Sequence, residues 1–196
     1  AGKYDGERTH EMDCAVTGMA LLAFSCSGHT TKIGRWKNKL KLTLDWLIKA
    51  QRPNGSWTSN NYTNAICTLA LAEATGMGAG IESKNSAEIA TDFILKQQNK
   101  NGLFDYTGPS TAGDMSVTGW CIMALKSALL AGIKENEIKG ACQKCDDFLK
   151  KAENTKDNTS YSKGLAWYTP NHIGTGDQGG ACQAIAMIIR QYLGWE

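Results

Sequence analysis

One stretch of this chain is written twice. Asp45-Trp-Leu-Ile-Lys-Ala-Gln51-Arg-Pro-Asn-Gly55-Ser-Trp57 recurs as Asp92-Phe-Ile-Leu-Lys-Gln-Gln98-Asn-Lys-Asn-Gly102-Leu-Phe104. The acid, the aromatic, the Gln, the Gly and the closing aromatic keep one offset of 47 residues (92 minus 45). A fixed period of this length predicts stacked supersecondary units, each burying a face against its neighbours.

At 196 residues the chain reads as one domain, 1–196, or a large fragment of one. The formal charge of +2 is too small to imply a nucleic-acid partner. No apolar run is long enough to span a bilayer and no signal peptide opens the chain. Its abrupt start, Ala1-Gly-Lys-Tyr, is compatible with a trimmed upstream segment. The seven cysteines are an odd number, mostly set in apolar helical patterns, where thiols act as small buried hydrophobes. Cys142-x-x-Cys145 lies within a helical pattern rather than at a strand-to-helix turn, so a redox or zinc role is not expected. Free thiols fit a reducing compartment, an export history is compatible with a trimmed export signal, and the localisation stays open.

Two kinds of segment alternate. Segments 15–24, 64–73, 116–125 and 180–189 are apolar nearly all round and rich in Ala and Gly, as helices buried on both sides are. Between them run amphipathic segments. Leu40, Leu44, Leu47 and Ile48 form one stripe; Ile89, Phe93 and Lys96 continue the pattern, then Ala141, Cys145, Phe148, Leu149 and Ala152. The expected helices span about 14–26, 37–51, 64–76, 84–98, 115–131, 135–152 and 179–192, inner and outer in alternation. Pro53-Asn-Gly55, Lys100-Asn-Gly102 and the long stretch 154–176 mark connections. Strand patterns are absent. The fold class is all-α: an α/α toroid-type array of helical hairpins, expected as a partial ring.

The repeated Gln51–Trp57 and Gln98–Phe104 resemble the QW motif of the terpenoid cyclase and protein prenyltransferase superfamily, the second with Phe for Trp. The third unit, Asp147–Glu153, lacks the Gln and the tight Gly-x-Trp. Ala15–Thr30, Asp114–Ser127 and Arg190–Trp195 are similar in wording to bacterial proteins with prenyltransferase and squalene oxidase-type repeats, a branch without an assigned reaction. A complete ring in this superfamily needs more hairpins than the roughly three and a half counted here. An open arc exposes an apolar edge, which invites self-association.

The resemblance also points to candidate chemistry. Asp13-Cys14-Ala-Val-Thr-Gly18 is similar to the segment that carries the proton-donating Asp of oxidosqualene cyclases, and Glu11-Met-Asp13-Cys14 stands where bacterial squalene cyclases carry Asp-x-Asp-Asp. This nominates Asp13 as a catalytic acid, with Glu11, Cys14 and His10 as neighbours. The competing reading makes Asp13 a helix cap, because Asp114 holds the same place before Ser116-Val-Thr-Gly119. Glu11, Cys14, Tyr62, Asp114, Trp120 and Asp177 are the candidate ligand-binding residues, and the loops before the inner helices, including Asp13, Asp114 and Asp177, are expected near one mouth of the ring. Aromatic faces that stabilise carbocations are scarce on the inner helices, where Phe24 and Trp120 stand nearly alone. The Asp-x-Cys pair of zinc prenyltransferases is absent, and His172, Asp177 and Cys182 lack metal-ligand spacing. No metal and no cofactor are expected. Nor does Asp177–Cys182 reproduce the Cys-Gly-Glu-Gln of thioester domains built on the same toroid.

Lys32, Arg35, Lys37, Lys39, Lys41, Lys49 and Arg52 surround one outer helix. With Trp36 they suit either a peripheral contact with an anionic membrane or a solvated face. Gly164-Leu-Ala-Trp167-Tyr168 lies in a long connection of the kind that carries function. Two functions are weighed, and neither settles whether the chain is an enzyme. One is a terpenoid-cyclase-like protein holding an apolar, isoprenoid-type small molecule in its concave face. The other is a non-enzymatic peptide- or protein-binding module on the same toroid. An enclosed apolar pocket with Asp13 pointing into it favours the first; a shallow, polar groove favours the second.

Overall fold

The structure, a computed structural model, describes residues 9–154 and 179–194. Seven helices are found among them: α1 (His10–Cys26), α2 (Lys37–Ala50), α3 (Asn61–Gly76), α4 (Ile81–Lys96), α5 (Met115–Leu130), α6 (Glu135–Asn154) and α7 (Gly179–Leu193). No strand occurs among the described residues. The inner helices α1, α3, α5 and α7 pack side by side in chain order, and α2, α4 and α6 lie against them from outside. This is the expected alternation of helical hairpins.

Packing follows the residue pattern. In α2 the leucine stripe Leu40, Leu44 and Leu47 is buried, whereas the lysines face solvent. The expectation for α4 needs correction. Ile89 is exposed, and the buried stripe is Ser86, Ala87, Ala90, Thr91 and Ile94. Small residues there let α4 approach α3 closely, and the serine hydroxyl finds a bond in the neighbouring unit. The inner helices also differ from one another. α3 and α5 are buried on both sides as expected, but α1 and α7 each leave an apolar flank exposed.

The repeated motif closes each unit in the same way. At the end of α2, Gln51 Nε2 donates to Gly55 O (3.1 Å) within its own loop and to Ser86 O (3.1 Å) on α4. At the end of α4, Gln98 Nε2 donates to Gly102 O (2.9 Å) and to Ala141 O (2.8 Å) on α6. Each Gln thus satisfies a carbonyl of its own turn and one of the next outer helix. Gly55 and Gly102 take positive φ (95° and 92°). A Cβ on either would lie 2.3 Å from a carbonyl oxygen, of Ile89 or of Lys144, so only glycine lets the turn meet the next helix. The closing aromatics Trp57 and Phe104 are wholly buried. The Trp57 indole donates to Leu47 O (2.8 Å).

The two loops differ in length. The amide of Trp57 donates to Asn64 Oδ1, seven residues on, and that of Phe104 donates to Thr118 Oγ1, fourteen residues on. Seven extra residues (14 minus 7) therefore sit between Phe104 and α5. They are held by polar bonds: Ser110 Oγ to Asp105 Oδ2 (2.6 Å), Ser110 N to Asn99 Oδ1 (2.6 Å) and Asn101 Nδ2 to Ala112 O (2.9 Å). The longer loop folds back on the previous unit. Asn61, first residue of α3, donates its backbone N–H to Tyr106 O (2.7 Å) and its side-chain amide to Asp105 O (2.8 Å).

Candidate functional site

Residues 62, 66, 69 and 73 share one face of α3, because they recur at i, i+4, i+7 and i+11. The matching faces of α1 and α5 flank it. Together they form a concave strip running from the N-terminal to the C-terminal ends of the inner helices.

At the N-terminal end stands an aromatic cluster. Tyr62 stacks on Tyr106 (ring centroids 6.0 Å, 27° between planes) and meets Trp120 at 6.1 Å. Such pairs contribute about 0.5–1.5 kcal/mol beyond their buried area. Beside it, Thr63 Oγ1 donates to Glu11 Oε1 (3.4 Å), linking α3 to α1. Tyr62, Trp120 and Glu11 are among the candidate ligand-binding residues. Tyr106 is not, because only the fold-back of the inserted loop carries it there.

At the C-terminal end the strip opens into a groove of about 280 Å³. Leu22, Leu69, Met123, Leu130 and Tyr192 supply most of its apolar wall. Glu73 and Ser127 face each other across α3 and α5, the serine hydroxyl donating to the carboxylate. Lys126 adds a cation. The groove is open on one side rather than enclosed. None of these residues was singled out by sequence reasoning. The signal was one carboxylate, Glu73, on a face of α3 that is otherwise Tyr62, Ile66 and Leu69.

Asp13 and Asp114 do not play the same structural part. α1 begins before Asp13 and is capped by Thr9, whose hydroxyl accepts from Met12 N (3.2 Å). Asp13 is therefore inside the first turns of the helix, not its cap, and its repeat equivalence with Asp114 breaks down. Helical spacing puts Asp13 on the flank of His10, Thr17 and Phe24. That flank faces α2: His10 meets Trp46 (6.5 Å) and Phe24 meets Trp36 (6.2 Å, edge-on). Glu11, Leu22 and Ser25 occupy the concave side instead.

Asp114 is the N-cap of α5, its Oδ1 accepting from Val117 N (2.9 Å) and Ser116 Oγ (2.6 Å). Its side chain is buried, and Oδ2 has no partner. It lies close enough to Cys182 on α7 to help burial raise that thiol's pKa. The carboxylate is thus enclosed between two inner helices, away from the groove. Asp177 lies outside the described residues, as do His172 and the 164–168 segment.

Cys14 is buried between α1 and α3, where Cys67 Sγ donates to its carbonyl (3.4 Å). Burial, then the charge of Asp13, pushes its pKa up to about 11. The thiol stays protonated and is a packing group rather than a nucleophile. Cys67 and Cys121 are raised further by burial, and Cys145 to about 12, so the Cys142-x-x-Cys145 pair has one inert member. Among the described residues no cluster of His, Cys, Asp and Glu could hold a metal ion. On the outer basic face, the Arg35 and Lys39 cations sit over the Trp36 ring at 4.8 and 5.0 Å.

No protein-family model matches the chain, and no curated protein does. Among solved structures it is similar to ent-copalyl diphosphate synthase from Streptomyces platensis, with a TM-score of 0.61 and 19% identity. The fold is that of a terpenoid cyclase. The match covers 97% of this chain and 35% of that one, so the chain spans about a third of the length of the enzyme it resembles. The inner and outer hairpins of the present chain are shared architecture. The residues of its groove have to be judged on their own chemistry.

Proposed function

We propose that the concave strip binds an apolar, isoprenoid-type small molecule, and that the chain is a terpenoid-cyclase-like binding protein built of prenyltransferase-type repeats. The observation that carries this reading is the groove at the C-terminal ends of α1, α3 and α5, apolar apart from Glu73, Ser127, Lys126 and the rim of α1. An elongated hydrocarbon would lie along Leu22, Leu69 and Met123, since removing such surface from water supplies about 25 cal/mol per Å². A polar head group would meet Lys126 and the Glu73–Ser127 pair. At the far end of the strip, Tyr62, Tyr106 and Trp120 offer ring faces. Proton-transfer chemistry needs an enclosed site with an acid aimed into it. The groove is open and Asp13 lies on another flank, so the reading is binding rather than turnover.

The test is to extract the purified protein and look for lipid by mass spectrometry, then to titrate it with radiolabelled farnesol. Leu130→Glu and Met123→Glu, which put a charge in the groove from its more exposed wall, should weaken farnesol binding at least tenfold with helical content unchanged. No co-purifying lipid and no saturable farnesol binding would reject it. The open side favours one alternative, a peptide laying apolar side chains into the same groove. An identical panel of variants losing a co-purified peptide instead of a lipid would select that reading.

A further inference from the structure

The inner helices meet through one repeated junction. Each carries a small residue followed at once by a bulky one: Gly18-Met19 on α1, Ala65-Ile66 on α3, Gly119-Trp120 on α5 and Ala184-Ile185 on α7. At two of the three junctions the small residue meets the bulky one of the next inner helix, and at the third Trp120 turns back to Tyr62 on α3. On α1, a Cβ at Gly18 would stand 3.0 Å from Ile66 Cγ2 of α3. On α5, a Cβ at Gly119 would stand 2.6 Å from Ile185 Cγ2 of α7. In the middle of the series Ala65 is wholly buried and Trp120 packs against the core.

Two halves of this junction are left unfilled, one at each end of the arc. Met19, the bulky member on α1, is 46% exposed. It belongs to a stripe of Met12, Val16, Met19 and Ala23 on the side of α1 opposite Cys14 and Gly18, with Val16 66% exposed. Ala184, the small member on α7, is exposed too. Around it Met187 is 66% and Ile188 46% exposed, on the side of α7 away from the buried Cys182, Ala186 and Ile189. Neither stripe carries a charge. Isolated exposed apolar residues are ordinary, but two contiguous stripes on one small chain mark an interaction surface.

We infer that the chain associates head to tail with a second copy of itself, the α1 edge of one copy packing on the α7 edge of the next, Met19 seated over Ala184. The unfilled halves are complementary by the same rule that joins α1 to α3 and α5 to α7. The contact is heterologous, using different surfaces on the two copies. It closes into a ring if the rotation per copy divides the circle and otherwise propagates as a filament.

Sedimentation velocity and light scattering over a concentration series test this. The wild-type chain should rise above its monomer mass of 21.2 kDa as concentration increases. Met19→Glu and Ala184→Glu should each remain monomeric, with unchanged helical content since both positions are exposed. Mixing the two variants should restore a 1:1 dimer, and nothing larger, because one intact Ala184 edge and one intact Met19 edge remain between them. That rescue separates head-to-tail packing from pairing of like edges, where one variant alone would assemble normally. A wild-type chain that stays monomeric, or an Ala184→Glu chain that assembles as the wild type does, overturns the inference and leaves the edges to another segment or partner.

Discussion

The two copies of the repeated motif share a backbone device and differ in what their loops do. Around Gln51–Trp57 the loop is short and ends on α3 at once. Around Gln98–Phe104 the same Gln, Gly and aromatic hold the same positions, but seven further residues reach back to Asn61 and place Tyr106 on Tyr62. The shared part needs the next outer helix at a fixed distance and tolerates little change. The inserted part is bound by polar side-chain bonds and is free to serve the concave strip. Stability and a potential binding function thus separate within one repeat.

Truncating the closing aromatics should have the largest effect. Trp57→Ala and Phe104→Ala should each cost about 3–5 kcal/mol, measured by urea unfolding, because both side chains are wholly buried. Trp57→Phe sharpens the contrast. It should cost about 1–2 kcal/mol, since it leaves Leu47 O without the indole donor. If Trp57→Phe proved neutral, the two aromatics would be interchangeable and the indole bond irrelevant.

Next come the glycines. Gly55→Ala and Gly102→Ala should each lose about 2–4 kcal/mol through left-handed strain and the clash with Ile89 O or Lys144 O. Near-equal losses are expected from the near-equal geometry; a harmless substitution at one would show that its turn relaxes away from the next helix.

Gln51→Ala and Gln98→Ala should cost about 1–3 kcal/mol, with Gln51 the more expensive. Its Oε1 also accepts from the Ser86 hydroxyl (2.6 Å), for which α6 offers no counterpart at Ala141. The difference should vanish when Ser86→Ala is the background, which a double-mutant cycle measures.

Smallest in stability is Tyr106→Ala. The ring is exposed and its stacking on Tyr62 is worth about 1 kcal/mol or less, so the unfolding midpoint should barely move. Intrinsic fluorescence of Trp120 and farnesol binding should both change if the inserted loop serves the strip. An unfolding loss as large as that of Gly102→Ala would make the loop structural after all.

Much of this was legible from residue spacing. The helix order and the leucine stripe of α2 follow from periodicity, which burial of one helical face imposes. The concave strip was harder to see. Tyr62 and Trp120 were legible as aromatics on inner helices, but Tyr106 sits in a loop without periodic signal. Glu73 and Ser127 come from helices far apart in sequence and meet only when α3 lies on α5. Asp13 shows the opposite case. Its match to Asp114 suggested a helix cap, whereas α1 starts at His10 and Thr9 caps it.

By itself, the sequence determined the all-α hairpin array, because the 3.6-residue period and the conserved offset of Gln, Gly and aromatic leave no other way to bury the apolar faces. Tertiary structure alone decided which faces end up together. The rotation of each inner helix about its axis, set by notches such as Gly18 under Ile66 and Gly119 under Ile185, chooses the side that lines the groove and the side left open at the ends of the arc. That rotation depends on contacts between residues tens of positions apart, which no local pattern encodes.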